Sequence, residues 1–270
     1  MSTIRPAAVA GAFYPGDPAA LMREVRQHLH DAQAPAGDAG PPKAIIAPHA
    51  GYIYSGLVAA SAYARVAPLR GKVSRVVLAG PAHRVPVRGV AIPQARAFAT
   101  PLGEIELDLP TLSRLRRLPF VESSDRAHAL EHSLEVHLPF LQAVLGEFRL
   151  VPVVVGQATP AEMAALLEEV WGGGETLIVA STDLSHYLPY DDARARDRET
   201  ADAILALSPR LGPEEACGAA PVNGLLVAAR RHGLEIELLD LRNSGDTAGG
   251  RGQVVGYGAF ALREADHRHA

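Results

Sequence analysis

Apolar residues recur along this chain with two different periods, and the two alternate. Residues 18–32 place Leu21, Val25 and Leu29 on one stripe at helical spacing, so the segment predicts an amphipathic helix. Lys43–Ala47 is a short unbroken apolar run of the kind that forms a buried parallel strand, and it ends in Pro48-His49-Ala50-Gly51. Ser55 predicts the cap of a helix over 56–66. Val73–Ala79 reads as a second strand leading into Gly80-Pro81-Ala82-His83, Arg88–Ile92 as a weaker third, and Pro110–Leu118 as a helix. Glu131–Leu145 has helical spacing, with Pro139 either kinking it or starting it afresh. Phe148–Val155 predicts a strand, Pro160–Trp171 a helix, and Thr176–Ala180 a strand that runs into Ser181-Thr182-Asp183-Leu184-Ser185-His186.

Helices follow over Asp192–Leu207 and Pro213–His232, the second closing on Arg230, Arg231 and Gly233, which suit a helix C-terminus. Ile236–Leu241 is a strand, Asn243–Asp246 a turn, and Val254–Leu262 a last strand. Ala32–Pro42 is Gly/Pro-rich and predicts a loop, and the polar tail over 263–270 is expected to be disordered. Strand and helix alternate with no dividing linker and no internal repeat. The expectation is an α/β fold, residues 1–270 as a single domain, with a largely parallel or mixed sheet flanked by helices.

Composition narrows the function. Single α/β domains reach the size of these 270 residues, and 48% hydrophobic content excludes disorder for the bulk of the chain. A net charge of −4 lacks the basic footprint of nucleic-acid binding. One cysteine excludes an internal disulfide and a cysteine-based zinc cage. No apolar run approaches the ~18 residues of a membrane span, and the N-terminal residues lack a signal pattern, so a soluble cytoplasmic protein is expected.

The chemistry lies in where the histidines fall. His49, His83, the Asp183/His186 pair and the Asn243–Asp246 turn each follow a predicted buried strand. In open α/β sheets the carboxyl ends of the strands face the ligand crevice. If these strands are parallel neighbours, their ends deliver two imidazoles and carboxylates to one place. Two neutral histidines and a carboxylate form a divalent-metal site typical of non-haem Fe(II), and zinc accepts the same set. A second cluster runs over Glu131-His132-Ser133-Leu134-Glu135-Val136-His137. On one helix His128 and His132, and likewise Glu131 and Glu135, would share a face. The cluster reads either as a solvated helix start or as groups that support the metal or contact substrate. Tyr52 and Tyr54 either pack over a pocket or line it. Cys217, near a predicted helix start, reads as quiet packing, and no dinucleotide, Walker or hydrolase motif survives inspection.

Ala44 to Gly56, Gly80-Pro81-Ala82-His83, Glu131 to Pro139, Ser181 to His186 and Cys217-Gly218 together resemble the Memo family, from about Arg5 to Leu262. The similarity is to the prokaryotic branch called AmmeMemoRadiSam system protein B. It implies a fold like that of the LigB-like class III extradiol dioxygenases, whose sheet-end pocket holds non-haem iron. Transferred by motif, His49 and His83 are metal ligands and His186 the acid/base of the pocket. Animal members supply a cysteine as third ligand, where this chain has Asn243-Ser244-Gly245-Asp246-Thr247. The departure favours a carboxylate, and Asp246 is the expected third ligand.

A metal-dependent, dioxygenase-like oxidoreductase of unknown substrate is therefore expected. Fe(II) is its metal, with Zn or Cu as other fillings. His186 and Asp183 are the catalytic pair, Asp183 orienting the imidazole, and Tyr54, Glu131, His132 and His137 contact substrate. The resemblance further implies a functional link to a radical-SAM protein. The alternative is a non-catalytic module that uses the same pocket for a phosphorylated or anionic peptide or small molecule.

Overall fold

The computed structural model describes residues 4–32 and 40–265. Most of the loop expected over Ala32–Pro42, and His267 and His269 in the expected tail, lie outside the described residues. The strands are β1 (Ile4–Arg5), β2 (Ala44–Ala47), β3 (Arg75–Pro81), β4 (Val90–Ile92), β5 (Ala97–Thr100), β6 (Gly103–Glu106), β7 (Val121–Ser123), β8 (Arg149–Val155), β9 (Thr176–Ser181), β10 (His186–Leu188), β11 (Leu234–Asn243) and β12 (Val254–Glu264). The helices are α1 (Pro18–Asp31), α2 (Tyr52–Val66), α3 (Leu109–Leu115), α4 (Asp125–Ala129), α5 (His132–Glu135), α6 (Leu138–Leu145), α7 (Pro160–Val170), α8 (Tyr190–Leu205) and α9 (Ala219–Arg231).

A nine-stranded mixed sheet runs β10-β12-β2-β9-β3-β8-β4-β7, with β11 paired to β12, and helices flank it. Its centre, β2-β9-β3-β8, is parallel, and β12 runs antiparallel to β2. The central strands are apolar without alternation because both faces are covered. A small second sheet, β1-β5-β6, comes from segments whose short, mixed patterns carry no strand signal of their own. No helix among the described residues is long and apolar enough to cross a membrane.

The local chemistry of the long helices matches the sequence. Asp17 accepts from the Ala20 amide and Pro18 occupies the first turn of α1, while Thr159 and Glu162 form a reciprocal cap on α7. Several boundaries differ: α9 starts at Ala219, six residues after the expected Pro213, and β12 runs to Glu264, into the tail expected to be disordered. Helix α2 starts at Tyr52, because Ser55 turns its hydroxyl back to the Ala50 carbonyl instead of capping. The expected helix over Glu131–Leu145 is two: α5 ends at Glu135, and α6 begins afresh with Pro139 in its first turn.

Candidate metal centre

Three adjacent parallel strands aim at one place. β2 leads to His49, β9 to Ser181 and Asp183, and β3 to His83, in the lateral order β2-β9-β3. A second layer arrives from the chain between α4 and α6. Gly80 permits this approach, because a Cβ there would lie 2.9 Å from both the Leu134 side chain and the Ser133 hydroxyl. With that space open, Ser133 Oγ donates to the Pro81 carbonyl at 2.8 Å and α5 seats against the end of β3.

His49, His83 and His132 converge, with one ligand nitrogen from each lying within 4.8 Å of the others. The ring centroids of His49 and His83 are 5.1 Å apart, and those of His83 and His132 4.6 Å. Exposure rises across the group, from buried His49 through half-buried His132 to exposed His83, so the cluster opens to solvent on the His83 side.

Each of the two strand-end histidines is held through Nδ1. Glu131 Oε1 lies 2.9 Å from His83 Nδ1, and Oε2 accepts the His83 amide at 2.6 Å. Glu131 also accepts the Ser133 amide, and these bonds to His83 and Ser133 overcome burial to hold its carboxyl down at about 2. An ionised Glu131 accepts the Nδ1 proton of His83 and leaves Nε2 as a lone pair, the arrangement commonly found behind a metal-binding imidazole. Behind His49, Ser181 Oγ lies 2.6 Å from Nδ1 and donates its own proton to the Ser133 carbonyl. Ser181 must then accept from His49, which again leaves Nε2 facing inward. His132 Nδ1 is buried and makes no hydrogen bond, although Glu131 Oε1 lies 3.4 Å from it.

The other expected site residues divide. His186 lies near the group, since a charge on it is felt at His49 and on His83 at His186. The ring is half-buried, and burial lowers its pKa. Asp183 does not orient it: Oδ1 accepts the His49 amide at 2.8 Å, and burial pushes this carboxyl up to about 7. Tyr54 is partly exposed in the first turn of α2.

Glu131 backs His83 from a buried position, instead of reaching a substrate. His137 is fully enclosed, bridging the Tyr63 hydroxyl at 2.7 Å and Ser181 at 2.8 Å, so it sits behind His49 rather than on the open side. His128 does not share a face with His132, because the helix breaks between them, whereas Glu131 caps the start of α5 and Glu135 ends it, their carboxylates going to different partners. His128 reaches the Ala91 carbonyl, and Glu135 pairs with Arg5 and Tyr14 of the N-terminal segment.

Asp246 is not part of the histidine group. β11 lies outside β12, two strand spacings, or roughly 10 Å, from β2 and farther from β3. One Asp246 oxygen accepts the Asn243 amide at 3.0 Å to cap its own turn, and the other accepts the Tyr190 hydroxyl. The expectation of four neighbouring strand ends holds for three, and the third metal-ligand candidate is an imidazole, not a carboxylate.

Three further residues border the centre. Phe13 packs on His132 with centroids 4.8 Å apart, from an N-terminal segment whose pattern gives no hint of this role. Ser181 closes the apolar strand β9, and its polar position at a strand end was the available signal. Cys217 Sγ lies 3.4 Å from His49 Nε2, and burial pushes the thiol up to about 12, so it stands as a protonated donor to that nitrogen. A cavity of about 250 Å³, lined by Ala82, Val87, Val155 and Pro221 among others, opens beside Cys217. A larger cavity of about 700 Å³ meets Arg75 and Arg149, at the starts of β3 and β8, and so lies at the opposite end of the sheet.

Fold and site together define an α/β protein with a histidine cluster able to take a divalent metal at the carboxyl ends of its parallel strands. The model of the Memo-like protein family matches residues 5–261, and the chain belongs to that family. A MEMO1 family protein of Methanothermobacter thermautotrophicus is 39% identical, over 94% of this chain and 98% of its own. One from Methanopyrus kandleri is 39% identical over 96% and 99%, and one from Aquifex aeolicus 35% over 94% and 97%. Among solved structures, an uncharacterized protein of Escherichia coli K12 is similar with a TM-score of 0.51 and 15% identity, over 81% of this chain and 98% of that one. This likeness concerns the fold alone.

Proposed function

We propose that this chain is a metal-dependent oxidoreductase acting on a small oxygen-bearing substrate, with one divalent ion held by His49, His83 and His132. The observation that carries this reading is the convergence of three imidazoles, two of them fixed through Nδ1 so that Nε2 keeps its lone pair, which on His49 faces the Cys217 thiol that a metal would displace. Nδ1 of His132 is buried and makes no hydrogen bond, with Glu131 Oε1 3.4 Å away, and it adds a further nitrogen to the group. Neutral imidazoles suit iron, zinc and copper alike. The resemblance to class III extradiol dioxygenases supports Fe(II), and a place in the AmmeMemoRadiSam B branch, with its radical-SAM link, is proposed on the same motifs.

When bound, the ion would supply Lewis acidity and, as iron, one-electron exchange. The protein's own residues do the rest. Ser181 and Glu131 hold the two strand-end rings in their ligating tautomer. His186, whose pKa burial keeps low, is neutral near pH 7 and accepts a substrate proton at a ring nitrogen. Phe13 covers His132 from the N-terminal side, and the cavity beside Cys217 offers room for an apolar part of the substrate.

Oxygen uptake by the iron-loaded protein, with catechol as the probe, tests the activity. Uptake that His186→Ala abolishes while the iron stays bound is the expected result. Iron bound in full with no uptake, together with tight binding of phenyl phosphate at the histidines, would replace this reading with that of a non-catalytic anion-binding module.

A further inference from the structure

A second cluster lies on α8 and β11, outside the histidine group. Arg194 and Arg198 stand four residues apart on α8, and with Arg242 of β11 they line a cleft of about 330 Å³. Arg251, on the loop before β12, stands beside the cleft, outside its lining, near Tyr190 and Asp246. Its guanidinium sits 4.4 Å from the centre of the Tyr190 ring, with that of Arg194 at 5.7 Å.

The charge balance of this cleft is unusual. Arg242 has an acid partner in Asp240 at 3.0 Å. Arg194, Arg198 and Arg251 form no ion pair among the described residues, although the chain as a whole is acidic. Arg194 and Arg198 are like charges at i,i+4 on α8, with Asp191, Asp197 and Asp202 at helical spacing around them. Two carboxylates line the cleft, and both are engaged. Asp197 is buried, with Oδ1 accepting the Ser185 amide at 2.9 Å, and Asp246 holds Tyr190 and Asn243. The field of Arg251 and Arg194 reaches Asp246 and helps keep its carboxyl below the ordinary range.

Guanidinium groups stacked on an aromatic ring are oriented in advance, and their planar donors match the oxygens of a phosphate in pairs. Both arginines lie against the Tyr190 ring, which is outside the lining of the cleft, so the cleft offers guanidinium donors and no aromatic face for a base. We infer that this cleft is a second binding site, separate from the metal centre, for a small phosphate-bearing anion. Arg194, Arg198 and Arg251 contact its oxygens, and the Asn243 side chain, which accepts the Gly245 amide, keeps the floor of the cleft in place.

Calorimetric titration of the metal-free full chain with inorganic pyrophosphate at fixed ionic strength tests this. One saturable site is expected. Arg194→Gln/Arg198→Gln should weaken it by roughly tenfold or more, since charge-assisted hydrogen bonds are the strong ones. Both positions are exposed, so the substitutions leave the core intact; Arg251→Gln provides an independent second variant. His49→Ala/His83→Ala should bind pyrophosphate within about twofold of the parent. Absence of saturable binding, equal affinity in both arginine variants, or loss of binding in the histidine variant would each overturn the assignment.

Discussion

Ser181 stands between His49 and His137, with its Oγ 2.6 Å from Nδ1 of the first and 2.8 Å from Nε2 of the second. Its single proton goes to the Ser133 carbonyl, so both rings must donate to it. His137 in turn accepts from Tyr63, whose ring stacks on Phe140 at 5.0 Å. A buried aromatic block on α2 and α6 thereby sets the orientation of a ring at the end of β2.

Ser181→Ala leaves two buried N–H donors without an acceptor. Each costs about 1–3 kcal/mol, so denaturant unfolding of the metal-free protein should show a loss of roughly 2–6 kcal/mol. Metal affinity should fall by about 10–100-fold, the usual effect of removing a group that holds a ligating imidazole. Unchanged affinity with lowered stability would separate Ser181 from the metal centre.

Glu131→Gln keeps the side chain's size and removes its charge. Competition with a chelator should show metal binding weakened by roughly 10–100-fold. The folded carboxyl titrates at about 2, below its ordinary 4.5. The stability it contributes is thus complete above pH 4.5 and disappears as pH falls toward 2, and the Gln variant should lack that part of the acid transition.

Buried histidines add a second acid dependence with the same sign. Burial holds His128 at about 4 and His137 at about 3, each below the ordinary 6.5. The unfolded chain therefore binds protons first. Stability of the metal-free protein should be full above pH 6.5 and decline as pH drops, by up to about 1.4 kcal/mol per pH unit for each such group. His128→Gln retains a donor for the Ala91 carbonyl and should flatten the decline between pH 6.5 and 4. An unaltered slope would contradict the role of burial.

Asp246→Asn tests the third-ligand question from the negative side. Metal affinity is expected to stay within about twofold of the parent. Thermal stability should drop by about 1 kcal/mol or less, the scale of a lost cap on a short surface turn. A tenfold loss of metal would return Asp246 to the site.

His49 and His83 were legible because both follow long apolar runs, and a buried parallel strand is the simplest reading of such runs. The lateral order of the strands was not legible. Nothing in Ile236–Leu241 says that β11 lies beyond β12, and Asp246 was therefore assigned to a place two strands too near. His132 was hidden for a different reason. The helical spacing of 131–145 suggested one continuous face, whereas Pro139 marks a restart, and the turn before α6 lets His132 and Glu131 point to the end of β3. Phe13 and the strands β1, β5 and β6 are set by tertiary contacts, among them Arg5 with Glu135, that leave no periodic trace.

The most direct measurement is the metal content of the chain purified without oxygen, read by elemental analysis beside His49→Ala, His83→Ala and His132→Ala. One divalent ion per chain is expected in the parent, iron by this account. Each single variant should lose most of it while retaining the circular dichroism of the fold. A parent that takes up no ion on reconstitution with Fe(II), Zn(II) or Cu(II), or a His49→Ala/His83→Ala/His132→Ala triple variant that keeps the full complement, would contradict the metal centre itself.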